Sequence, residues 1–181
     1  NVVVYGGGMI GLLLLQLAIL KGASRVALIE PVEEKRQVAE KLGACLTINP
    51  IEQDVKKTLQ EHGFEHIQVV IETCGRKNTS EEALDIVDRQ GTVVLFAVSA
   101  VEAAIDLKTY QLFQKELTVK GSFCSPYDMG RAVELLNAHR IDVTTMLGGM
   151  EPLEGLAEVL SSPAKRAKGK FVILPNGTPE E

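Results

Sequence analysis

The run Gly6-Gly7-Gly8-Met9-Ile10-Gly11 carries glycines at G-x-G-x-x-G spacing, directly after the apolar run Val2–Tyr5 and directly before a helical stretch. That spacing suits a pyrophosphate. Gly6 permits a tight strand-to-helix turn, Gly8 lets the backbone approach a phosphate where a Cβ would collide, and Gly11 lets the helix lie close on the sheet. The amides of Met9 and Ile10 open the helix without intrahelical partners, at the positive end of its dipole. Glu30 stands nineteen residues after Gly11, at the end of the apolar run Val26–Ile29. A carboxylate there accepts hydrogen bonds from the ribose hydroxyls of an adenosine and repels a 2′-phosphate, so NAD is expected rather than NADP. Lys35, five residues beyond Glu30, could reach the ribose or balance the acid, and reads equally well as a solvated helix charge. Arg36 and Glu40 read as an i,i+4 surface pair.

The elements that must hold these residues alternate along the chain. Strands are expected at Val2–Tyr5, Val26–Ile29, Leu46–Ile48, Ile67–Ile71, Thr92–Val98, Leu117–Phe123 and Lys170–Leu174. Helices are expected at Met9–Lys21, Glu33–Leu42, Ile51–Glu61, Thr79–Asp88, Asp128–His139 and Leu153–Leu160, with Thr79 or Ser80 as the cap of the fourth. Short β-branched strands alternating with longer helices predict an α/β fold: a doubly wound parallel sheet in the order 3-2-1-4-5-6. The pattern weakens around Leu147–Pro152, where Gly148, Gly149 and Pro152 interrupt it. The expected division is therefore a dinucleotide-binding domain over 1–148 and a tail over 149–181.

Composition removes several function classes. A net charge of −5 with no basic cluster argues against a nucleic-acid surface. The apolar run Ile10–Leu15 is broken by Gln16 and ends at Lys21, so neither a membrane span nor a signal peptide is expected. Cys45, Cys74 and Cys124 lie far apart without a CxxC, as expected of thiols in a reducing compartment and hence of a cytoplasmic protein. His62, His66 and His139 read as solvated surface residues, and no Cys/His/Glu set has metal-ligand spacing. The chain opens at Asn1 inside a strand run without Met, which suggests a piece of a longer protein.

Beyond the glycine turn, several motifs in fixed order resemble the medium-chain dehydrogenase/reductase family, in its zinc-dependent alcohol and polyol dehydrogenase branch. They are Val3–Gly11, Gly22–Val26, Lys41–Ala44, Val69–Gly75, Gly91–Phe96, Lys115–Phe123 and Ala132–Val143. The resemblance implies a Rossmann cofactor domain in which Thr73, Cys74 and Arg76 form a lip over the adenine. It further implies that Phe96, Val98, Ser122 and Phe123 hold the nicotinamide carboxamide. From spacing alone, Phe96, Val98 and Phe123 read as plain core residues, and Cys74 and Cys124 as packing or backbone contacts rather than nucleophiles. Two positions depart from the family pattern: Met9 stands where Pro is common, and Ala97 where Gly is usual.

The resemblance implies hydride transfer between NAD and a small secondary alcohol or polyol in the intact enzyme, with zinc polarising the oxygen. Zinc is expected only in a catalytic domain outside this sequence, and Leu153–Leu174 resembles the tail that returns to that domain. No catalytic or metal-binding residue is therefore expected here, and the chain alone should bind NAD(H) without turnover. The edge strand Leu117–Lys120 resembles one that joins subunits, so a homodimer or tetramer is expected. Alternatives are a zinc-free quinone reductase of the same family and a non-catalytic NAD-sensing regulatory module. A methyltransferase is a third, disfavoured because its glycine turn usually lacks the glycine supplied by Gly11.

Overall fold

The computed structural model describes residues 1–123 and 127–177, apart from the side chains of residues 166 and 167. It divides into two compact units, Asn1–Ile141 and Asp142–Glu181. The first opens with β1 (Val2–Tyr5), α1 (Met9–Leu20), β2 (Val26–Ile29), α2 (Glu33–Lys41), β3 (Leu46–Ile48) and α3 (Val55–Glu61). It continues with β4 (Val69–Glu72), α4 (Lys77–Ile86), β5 (Thr92–Leu95), α5 (Thr109–Lys115), β6 (Thr118–Gly121) and α6 (Met129–Asn137).

The six strands form one sheet in the order β3-β2-β1-β4-β5-β6. All of its pairings are parallel. The doubly wound order expected from the alternating pattern is the one found. Central strands β1 and β2 are buried along their whole length, which is why they are continuous apolar runs rather than alternating ones. Val3, Tyr5, Ala27, Ile29, Val70 and Val93 share one core cluster with Val55 and Leu59 of α3 and Ala83, Leu84 and Ile86 of α4. Against β1 and β2, α1 buries Leu12 and Leu15.

Several boundaries differ from expectation for local reasons. Helix α3 starts at Val55 rather than Ile51 because the Asp54 carboxylate caps it, accepting from the Lys57 amide at 2.8 Å. Helix α4 starts two residues before Thr79, with Arg76 at its cap and no capping side chain. The Thr79 hydroxyl is engaged elsewhere, as described below. Helix α5 has no counterpart in the expected elements.

In the second unit, β7 (Leu147–Pro152) and β8 (Lys170–Leu174) pair in parallel, with α7 (Leu156–Ser161) and α8 (Pro163–Ala167) between them. The weak boundary expected at Leu147–Pro152 is thus a strand. Its Gly148 accommodates the Phe171 ring, which would lie 2.7 Å from a Cβ at that position.

Candidate functional site

A parallel sheet brings the carboxyl ends of its strands to one edge. Gly6–Gly11 follow β1, Glu30 follows β2, and Thr73–Arg76 follow β4. Phe96–Val98 follow β5 and Ser122–Phe123 follow β6, so every expected site residue except Lys35, on α2, lies in a loop at that edge or the helix start it leads into.

The glycine turn is built from close approaches. Gly6 has φ +99°, and a Cβ there would lie 2.6 Å from Thr73 Oγ1. At Gly11 a Cβ would fall 1.9 Å from the Gly6 carbonyl oxygen, so only glycine lets α1 start this close to β1. Gly8 differs: among the described residues no atom beyond its chain neighbours lies within 4 Å of its would-be Cβ. Its smallness answers to no contact among them and keeps open the space before the start of α1. Gly8 caps α1 without a capping side chain, no acidic residue lies in the first turn, and among the described residues the amides of Met9 and Ile10 have no hydrogen-bond acceptor. That helix start is an uncompensated donor set suited to an anion.

Glu30 is only 6% exposed. Its Oε2 accepts from the Gly7 amide at 2.7 Å and its Oε1 from the Val32 amide at 3.0 Å. Each carboxylate oxygen has a second lone pair for an incoming hydroxyl. The expected Arg36–Glu40 pair does not form. Arg36 Nη1 instead donates to the carbonyls of Glu30 and Pro31, and Nη2 pairs with Glu33. Glu40 accepts from the Thr47 hydroxyl. Lys35 is half-buried, with no hydrogen-bond or ion-pair partner among the described residues.

Glu72 was not among the expected residues. It ends β4 at 1% exposure and gathers the amides of Cys74 and Gly75, at 2.7 and 3.0 Å, and the Thr79 hydroxyl at 2.8 Å. This internal carboxylate shapes the Thr73–Arg76 loop from beneath. The sequence held a signal for it, since VVIE ends in an acid as VALI-Glu30 does. Thr73 adds a second tie, its hydroxyl donating to the Tyr5 carbonyl at 2.6 Å. Burial, then the Glu72 and Glu30 charges, push the Cys74 thiol up to about 11, which makes it a poor nucleophile.

At the other end of the row, the amides of Phe96 and Ala97 both donate to the Glu72 carbonyl, at 2.9 and 3.2 Å. The Ser122 amide donates to the Leu95 carbonyl at 3.1 Å. Val98 and Phe123 are 91% and 87% exposed, so the core reading that spacing alone suggested fails for both. Cys124 lies outside the described residues. His62, His66 and His139 are exposed.

A hollow of about 360 Å³ lies at the opposite edge, by the amino ends of β4, β5 and β6. Its lysines are engaged, Lys56 with Asp85 and Lys115 with the carbonyls of Asp85 and Val87. It contains none of the glycine-turn donors, so the candidate site is placed at the carboxyl edge. Among the described residues no three His, Cys, Asp or Glu side chains converge as a metal site, so these residues do not fit a zinc centre. No helix among them is long and apolar enough to cross a membrane.

Comparison with known proteins adds independent information. Residues 9–138 match the family model described as zinc-binding dehydrogenase. Galactitol 1-phosphate 5-dehydrogenase of Escherichia coli (strain K12) is 29% identical over 97% of this chain and 53% of its own length. D-arabinitol dehydrogenase 1 of Uromyces fabae is 29% identical over 94% of this chain and 50% of its own. A crystal structure assigned as a zinc-binding dehydrogenase of Sinorhizobium meliloti 1021, bound to NADP, superposes with a TM-score of 0.91 at 32% identity. It covers 97% of this chain and 52% of that one. The chain spans about half the length of the curated relatives it matches.

Proposed function

The chain belongs to the zinc-binding dehydrogenase family, and from that premise we propose that it holds NAD(H) for an oxidoreductase acting on a secondary alcohol or polyol. The observation that carries the reading is Gly8, whose missing side chain serves no contact in the protein and leaves room before an uncapped helix start. A bound pyrophosphate fills such a space and takes up the free amides. The nicotinamide ring, when bound, supplies the hydride chemistry. This chain's part is to orient it: Glu30 for the adenosine ribose, the Thr73–Arg76 lip for the adenine, and the Phe96–Val98 and Ser122–Phe123 loops for the carboxamide.

The relative from Sinorhizobium meliloti was solved with NADP, and the preference of this chain for NAD rests on its own residues. Glu30 puts a carboxylate where a 2′-phosphate would lie, and Arg36, the nearest guanidinium, is committed to carbonyls and Glu33. Titration calorimetry should give a lower Kd for NADH than for NADPH, by about tenfold or more for one repelled charge in a partly buried site. Tighter NADPH binding overturns the NAD assignment. We further read the protein as cytoplasmic and oligomeric through the β6 edge. The second unit is read as part of the segment that completes the substrate side of the longer enzyme. Turnover by this chain alone would contradict that division of labour.

A further inference from the structure

We propose that Gly7, the middle residue of the glycine turn, sets cofactor choice by acting as a seat for the Glu30 side chain. The inference rests on the reading of Glu30 as the ribose acid. It concerns a position that the glycine-turn logic leaves unexplained. Gly6 and Gly11 are required by chain contacts and Gly8 by open space, whereas Gly7 occupies one of the variable positions of the spacing.

A Cβ on Gly7 would lie 2.9 Å from Glu30 Cγ, 3.1 Å from Oε2 and 3.2 Å from Cβ. All three neighbours belong to one side chain. Gly7 has no left-handed φ, so nothing in its own backbone asks for glycine. The same residue donates its amide to Glu30 Oε2 at 2.7 Å. Gly7 therefore does two things for the acid: its amide holds one oxygen, and its missing side chain stows the extra methylene that distinguishes Glu from Asp.

Glutamate at the end of β2 has one methylene more to place than aspartate. Packed against Gly7 and held by the Gly7 and Val32 amides, its carboxylate is fixed between the two donors. Any side chain at position 7 expels the folded rotamer and moves the negative charge. Residues 7 and 30 thus form a size-matched pair, with Gly accepting Glu and Ala suited to Asp, which has no methylene to stow.

The test is a double-mutant cycle on this chain with Gly7→Ala, Glu30→Asp and the two combined, reading Kd for NADH and NADPH by calorimetry alongside thermal melts. Gly7→Ala should weaken NADH by about tenfold, the usual worth of one charge-assisted hydrogen bond, with a smaller loss for NADPH. The double variant should bind NADH more tightly than Gly7→Ala does, a coupling that independent sites would not show. An unchanged NADH-to-NADPH ratio in Gly7→Ala, or a double variant no better than that single, overturns the seat. Should Gly7→Ala fail to fold, a folded, NADH-binding double variant supports the pairing and an unfolded one contradicts it. A wild-type chain that binds neither dinucleotide would instead overturn the reading on which the inference rests.

Discussion

At the scale of single residues, two buried acids at strand ends do different work. Glu30 keeps a carboxylate at the carboxyl edge of the sheet, while Glu72 is spent on the protein itself, collecting two amides and a hydroxyl beneath the Thr73–Arg76 loop. Replacing Glu72 with Ala leaves those part-buried donors unpaired, so urea unfolding should show a loss of about 2 kcal/mol. On the proposed reading NADH affinity should fall as well, since the Thr73–Arg76 loop loses its anchor. Glu82 gives a pH test. Burial raises its pKa and the Asp54 and Asp85 charges add to that, while the nearby Tyr5 hydroxyl opposes it. The Tyr5 hydroxyl makes no well-formed hydrogen bond, so burial is the governing cause. A folded-state pKa above the unfolded one means the ionised acid destabilises the fold at neutral pH, and the penalty lifts as pH falls through the folded value towards the unfolded one. Glu82→Gln should therefore melt higher at about pH 7, by no more than about 1 kcal/mol for a half-buried group, and match wild type below the ordinary glutamate range. Of these acids only Glu30 was legible beforehand, because a spacing rule ties it to the glycine turn. Glu72 ends its strand as Glu30 does, but no spacing rule ties it to the glycine turn, and Glu82 faces Tyr5 and Asp54, which only the folded chain brings near.

At the scale of elements, β1 and β2 were readable because burial on both faces forces short apolar, β-branched runs, and β1, β2, β3 and β8 all match their expected bounds. Helix starts were less so. A cap is a matter of one side chain, and Asp54 and Thr79 each had several sequence-compatible roles. Helix α5 escaped because Thr109–Lys115 is short and buries no residue, leaving no apolar stripe to read. Strand β7 was obscured by Gly148 and Gly149, which resemble a linker until the Phe171 ring is seen against them. Two substitutions separate local from tertiary control. Asp54→Ala removes one cap, and the midpoint of thermal unfolding should fall by the equivalent of about 1 kcal/mol. Gly11→Ala drives a Cβ into the Gly6 carbonyl at 1.9 Å and displaces α1 from the sheet, for a loss of about 3 kcal/mol or more.

At the scale of the whole molecule, the sheet ends at β6, whose outer edge is uncovered among the described residues. The amides of Thr118 and Ser122 donate inward to the carbonyls of Gly91 and Leu95. By the two-residue period of a strand, the amides of Val119 and Gly121 then face outward. Thr118, Lys120 and Gly121 are exposed, and so are Tyr110 and Phe113 of α5 and Met129 and Val133 of α6. An uncovered edge invites pairing with a second copy, and exposed apolar residues on the helices that neighbour it in sequence add surface that a partner could cover. Gly121→Pro tests this selectively. It removes an outward donor and leaves the inward ladder to β5 intact, and among the described residues no atom beyond its chain neighbours lies within 4 Å of the Gly121 Cβ position. Sedimentation equilibrium should show wild type as a dimer or larger at micromolar concentration, and the Gly121→Pro chain shifted towards monomer with its NADH affinity retained. A wild-type monomer under those conditions would remove β6 as a subunit interface and leave the cofactor assignment untouched, because the pairing edge and the glycine turn draw on different residues.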